Sequence, residues 1–210
     1  MAFGIQAIKI LETHGDFSYI DLETIFNVQR TCSELRNFGM RRQWRLTRSQ
    51  SNYVYQQRLT VPKFAYYLQN YIHTLNLGGT QVTNVSALGN VHTLILNDTL
   101  VTDVSALGNV HTLNLSRTQV TDVSALGNVH TLNLSSTRVT DISALGHVHT
   151  LYLNDTPVAD VSALGHVHTL NLSFTQVTNV SALGNVHTLN LRNCRVMDFS
   201  ALQNVKKLIQ

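Results

Sequence analysis

From Ile72 onward the apolar positions repeat every 19 residues, and inside each period two shorter rhythms follow one another. In the copy that begins at Val91, Leu94 and Leu96 alternate with Thr93 and Ile95. Such alternation among residues that favour extended backbone predicts a short strand with one buried side. Asn97 and Asp98 predict a turn. Val101, Val104 and Leu107 then return to the interior, with Asp103 before the last two and Gly108 after them. An acidic side chain able to accept free N–H groups, a short run and a glycine predict one 3₁₀ or α turn capped at both ends.

Aligned on its first valine, the unit reads VHTLNLSxTxVTDVSALGN. It starts at Ile72, Val91, Val110, Val129, Val148, Val167 and Val186, with a truncated eighth copy at Val205. Six apolar side chains cannot hold one unit together. Each contributes roughly 1.5–3 kcal/mol on burial, against roughly 1–2 kcal/mol for every residue whose backbone is ordered. Stacked units gain parallel strand neighbours about 4.8 Å apart, and each leucine layer is then covered on both sides. A repeat array is predicted, with its function on a surface rather than in a cleft.

The spacing LxxLxLxxTxV resembles the leucine-rich repeat, LxxLxLxxNxL, over residues 72–210. The family's ladder asparagine is replaced by Thr80, Thr99, Thr118, Thr137, Thr156 and Thr175, and by Cys194 in the last full copy. The segment VTDVSAL is similar to that of bacterial internalins, although their unit is longer. The resemblance implies an α/β repeat solenoid of seven 19-residue repeats plus a partial eighth strand. Parallel β-strands would line the concave face and short 3₁₀ or helical turns the convex face, after a small all-α N-terminal domain.

Before Ile72 the periodicity is absent. Over 1–48 the pattern is helical: Ile5, Ile8, Leu11; Leu22, Ile25, Phe26; Cys32, Leu35, Phe38. Thr31-Cys32-Ser33-Glu34 predicts a helix start and Gly39 its end. The stretch DLETIFNVQRTCSELRNFGMRRQW resembles the second half of an F-box, although the family's opening Leu-Pro has no counterpart near Ile5. The combination resembles F-box and leucine-rich-repeat proteins of giant DNA viruses of amoebae. It implies a Skp-type adaptor as partner, with Leu22, Ile25 and Phe26 in contact with it. The chain would then be the substrate-recognition subunit of a cullin-type ubiquitin ligase in the host cytoplasm. In the alternative reading the chain is a scaffolding repeat protein. Residues 1–71 then only cap the array, with 49–71 as linker and cap helix from Pro62.

Composition narrows the function. Residues 1–71 carry nine Lys/Arg and five acidic residues, whereas 72–210 carry six and seven. A nucleic-acid reader concentrates basic residues on its working surface, so nucleic acid is not the expected partner. No apolar run reaches the 18 residues of a membrane span. Met1–His14, with Lys9 and Glu12, is a poor signal peptide. Two cysteines, Cys32 and Cys194, imply no disulfide framework and suit an intracellular, cytoplasmic location.

Stacking turns the period into columns. His73, His92, His111, His130, His149, His168 and His187 form one, and like charges there should hold the imidazoles below their usual pKa. No histidine is singled out with the distinct ligand set that a metal requires, so no metal or cofactor is expected. Asn84, Asp103, Asp122, Asp141, Asp160, Asn179 and Asp198 form a capping column. No catalytic set stands out from the duplicated Ser and His residues. The outward strand position varies as Asn76, Ile95, Asn114, Asn133, Tyr152, Asn171, Asn190, and the turns add Arg117, Arg138, Phe174 and Arg192. These predict a protein-binding concave face centred on Tyr152. The strand begun at Val205 carries Lys206 and Lys207 on an edge that could join two copies end to end.

Overall fold

The computed structural model describes residues 44–45 and 72–210, all within one compact unit, Trp44–Gln210. Side chains are described from Thr74 onward. Apart from Trp44 and Arg45, the helical segment expected over 1–48 lies outside the described residues, as do the linker and cap expected over 49–71 and the adaptor-contacting Leu22, Ile25 and Phe26.

Among the described residues nine strands form one parallel sheet in chain order: β1 (Trp44–Arg45), β2 (Ile72–Asn76), β3 (Thr93–Ile95), β4 (Thr112–Asn114), β5 (Thr131–Asn133), β6 (Thr150–Tyr152), β7 (Thr169–Asn171), β8 (Thr188–Asn190) and β9 (Lys207–Ile209). Neighbours from β2 to β9 pair without slip, Leu75 beside Leu94, Leu94 beside Leu113, and onward to Leu189 beside Leu208. Strands β2 to β8 belong to the seven full repeats and β9 to the partial eighth. Strand β1 pairs with β2 through an irregular register and falls in the segment whose pattern reads as helical. Two residues are too short for any periodicity to announce.

Counting each unit from its first valine, positions 1, 4, 6, 11, 14 and 17 form the core. In the second coil Val91, Leu94, Leu96, Val101, Val104 and Leu107 are all buried. Six three-residue 3₁₀ turns, Ser105–Leu107 through Ser200–Leu202, make the convex side. In the coil that begins at Val186, Val196 is half-buried and Phe199 is exposed.

Polar residues close each coil. The hydroxyls of Thr80, Thr99, Thr118, Thr137, Thr156 and Thr175 donate to the carbonyl three residues back, at 2.6–2.7 Å. Cys194 differs: its thiol donates to the Leu172 carbonyl of the preceding coil at 3.0 Å. Asn84, Asp103, Asp122, Asp141, Asp160, Asn179 and Asp198 each accept the N–H two residues on, as the capping column requires.

The capping glycine needs correction. Gly108 has φ −60, an ordinary right-handed value, so it is no left-handed cap. A Cβ there would lie 2.5 Å from the Ala125 carbonyl oxygen of the next coil, and Gly127 and Gly146 are equally crowded. Glycine lets adjacent convex turns approach; it does not reverse the chain.

Candidate functional site

The strand residues at positions 3 and 5 face outward. Position 5 is half-buried in every full coil, including Ile95 and Tyr152. Its asparagines mainly serve the backbone. Asn76, Asn114, Asn133, Asn171 and Asn190 each accept, through Oδ1, the N–H two residues on at 2.9–3.0 Å. This Asx geometry ends the strand. Where position 5 is Ile95 or Tyr152, asparagine moves to position 7, as Asn97 and Asn154. Asn154 accepts from the Ser135 hydroxyl and the Asn171 amide, tying three coils together. Of the expected face residues, Asn114, Asn133, Asn171 and Asn190 therefore close turns, while Ile95 and Tyr152 interrupt that pattern.

The other expected residues lie along the turn border, not in one row with Tyr152. Arg192 is at position 7, Arg117 and Phe174 are at position 8, and Arg138 is at position 10. Position 8 is left-handed in each full coil: Gly79 in the first, then Asp98, Arg117, Ser136, Asp155, Phe174 and Asn193 at φ 54–60. That conformation costs an L residue about 1–2 kcal/mol, and a bulky residue rarely adopts it. Phe174 does so while 60% exposed. The border is regular, because the position-8 N–H of one coil donates to the position-7 carbonyl of the next, as in Arg117 to Ser135 and Phe174 to Arg192 at 3.0 Å. A shallow groove runs along it between Asp155, Pro157, Phe174, Gln176, Asn193 and Arg195.

Reading one coil at a time misses a longer rhythm. Ile95, Asn97, Asp98 and Thr99 are matched three coils on by Tyr152, Asn154, Asp155 and Thr156. Gln119 is matched by Gln176, and Arg138 by Arg195. The border thus repeats in part every three coils, and the repeat is broken at Leu100/Pro157, Arg117/Phe174 and Ser136/Asn193.

On the opposite border six imidazoles, His92 to His187, stack at 4.5–4.7 Å between ring centres. Nδ1 of His92, His111, His149, His168 and His187 is hydrogen-bonded to the next threonine hydroxyl. Desolvation between flanking rings is the larger cause lowering His111 below its ordinary pKa, and repulsion from His92 and His130 is the smaller. His149 is lowered in the same order, by desolvation and then by His130 and His168. Like charge thus contributes as expected, but second. Among the described residues no group of three or more His, Cys, Asp or Glu side chains is placed to hold a metal ion. No helix among them is long and apolar enough to cross a membrane.

Several solved structures are similar to this chain. An internalin, inlF, of Listeria monocytogenes gives a TM-score of 0.63 at 23% identity, covering 75% of this chain and 53% of its own. Internalin C2 of the same bacterium gives 0.59 at 24%, covering 75% and 90%. A leucine-rich-repeat protein of Leptospira interrogans gives 0.57 at 21%, covering 70% and 45%. The chain spans about half the length of the first of these. The likeness is one of fold, and the fold is the leucine-rich-repeat solenoid. No protein-family model matches the sequence, and no curated protein matches it.

Proposed function

We propose that the solenoid is a protein-binding module and not an enzyme, with the concave face and its turn border as the contact surface. One observation carries this reading. The buried positions repeat almost unchanged, whereas Ile95 and Tyr152 replace the unit's asparagine at position 5, and Arg117, Phe174 and Arg138 stand at positions 8 and 10, which differ from coil to coil. Serine at position 8 of the fourth coil and glycine at that of the first meet the backbone requirement. Tyrosine and arginine are also the side chains most often found at binding hot spots. Affinity capture from host-cell lysate with the full chain, beside a Tyr152→Ala/Phe174→Ala variant, tests it. A protein retained by the parent and lost by the variant is expected. A captured set that the two substitutions leave unchanged contradicts the reading.

We further propose that the segment around Leu22, Ile25 and Phe26 docks a Skp-type adaptor, so that the chain hands its bound protein to a cullin-type ubiquitin ligase in the cytoplasm. The F-box resemblance of DLETIFNVQRTCSELRNFGMRRQW supports this. Purified full chain should bind the adaptor, and alanine at all three positions should abolish binding. Absence of binding by the parent chain leaves the scaffolding role, with the N-terminal region as a cap only.

A further inference from the structure

We infer that the histidine border is a second interaction surface, a proton-gated strip that takes an acidic segment of a partner protein along its row of rings. It goes beyond the contact surface proposed above, which lies at the other end of the strands, and does not depend on it. Three observations lead there. Six exposed imidazoles, His92 to His187, stand in one row at 4.5–4.7 Å between ring centres. The row continues in cations of the same sign. Lys206 takes the next place, its N–H donating to the His187 carbonyl as that of His187 does to His168. His147 and His166 add exposed rings two residues before His149 and His168. Opposing charge is kept away. The seven acidic residues after Ile72 comprise two at position 8, Asp98 and Asp155, and the five capping aspartates at position 13. None falls between position 18 of one coil and position 5 of the next.

At neutral pH only Lys206 and Lys207 charge this border, at its end. Each proton added to the row is disfavoured by the rings beside it, as His92 and His130 act on His111. A carboxylate relieves that repulsion. Nδ1 of five of the six rings is engaged with a threonine hydroxyl, so Nε2, at the far end of an exposed ring, is the donor presented to a partner. A carboxylate has two acceptor oxygens and takes one N–H from each of two neighbouring rings. Its charge favours the imidazolium, so binding takes up protons, and affinity rises as pH falls through about 6.5. Aspartate and glutamate stay ionised down to about pH 4, which leaves a window in which both sides are charged.

The strip suits a polypeptide better than a nucleic acid. Single strands are held by bases stacked on aromatic faces, and here the inner rings, His111 to His168, are covered on both faces and present only their edges. A phosphate backbone also calls for permanent cations. Arg117, Arg138, Arg192 and Arg195 stand on the other border, at positions 7, 8 and 10. From His92 to Lys206 the row spans about 28 Å at the strand pitch, a length that about nine extended residues cover.

Fluorescence anisotropy of the full chain with a labelled oligoaspartate of about nine residues tests this. Binding is expected at about pH 5.5, with circular dichroism confirming a folded chain, and should weaken about tenfold or more by about pH 7.5. His111→Gln/His149→Gln should weaken it about fivefold or more at the lower pH. His130→Lys/His168→Lys replaces alternate rings by permanent cations and should carry binding up to about pH 7.5, where acid cannot have disturbed the fold. Tyr152→Ala/Phe174→Ala should bind the probe as the parent does, so that failure here is told apart from failure of the proposed contact surface. An affinity equal at the two pH values overturns the inference, because it places the probe on the arginines of the turn border. So does a folded chain that ignores the probe at the lower pH, or a lysine variant that gains nothing at the higher. Equal affinity for an oligothymidylate of the same length overturns the choice of an acidic protein segment.

Discussion

At the scale of single residues, side chains that serve the backbone close each coil and set how stability responds to pH. The carboxylates Asp103, Asp122, Asp141, Asp160 and Asp198 are held below their ordinary pKa, first by the N–H of the serine two residues on and then by its hydroxyl. His111 and His149 are also lowered. In both cases the unfolded chain binds protons more readily than the folded one, so stability falls as pH falls. The histidine part begins as pH drops through about 6.5 and the carboxylate part below about 4. Thermal melts should therefore show a lower midpoint at pH 5 than at pH 7.5, and His111→Gln/His149→Gln should flatten that difference. A midpoint constant across this range contradicts it. Thr137→Val keeps shape but removes the hydroxyl that donates to Leu134 at 2.6 Å, and denaturant titration should show a loss of about 1 kcal/mol. The aspartate role was legible, because each carboxylate sits at a fixed offset from a turn. The asparagine role was not. An outward strand residue looks free to bind a partner, and only the three-dimensional turn shows Oδ1 of Asn114 or Asn171 bonded two residues ahead.

At the scale of elements, spacing in the chain announced strand, turn and 3₁₀ segment in each coil, because 19 residues leave room for nothing longer. It misassigned the glycine, since one coil read alone cannot show that the next coil's carbonyl stands where a Cβ would be. Gly127→Ala tests the correction. If the close approach to Ala144 is the constraint, alanine should cost about 1–3 kcal/mol despite a φ that any residue adopts. Stability within about 0.5 kcal/mol of the parent would return the glycine to an incidental role. Strand β1 was also hidden from the pattern. The partial three-coil recurrence along the turn border, Asp98/Asp155, Gln119/Gln176 and Arg138/Arg195, places like residues on one border only because the coils stack in register.

At the scale of the whole molecule, stability belongs to the stack. Each leucine layer is covered by the layers before and after it, so the array should behave as a sum of equal coils and the contacts between them. Length changes by whole coils should then be tolerated, and changes by part of a coil should not, because a shift out of register moves Val and Leu positions off the core. Deleting residues 129–147, one complete coil, is the most direct test. The account predicts a folded, cooperatively melting protein with the parent's circular dichroism per residue and a midpoint lower by a few degrees. Deleting only residues 129–138 should abolish the transition. A protein that unfolds when the full coil is removed, or that accepts the partial deletion equally well, would contradict the stacked-coil architecture.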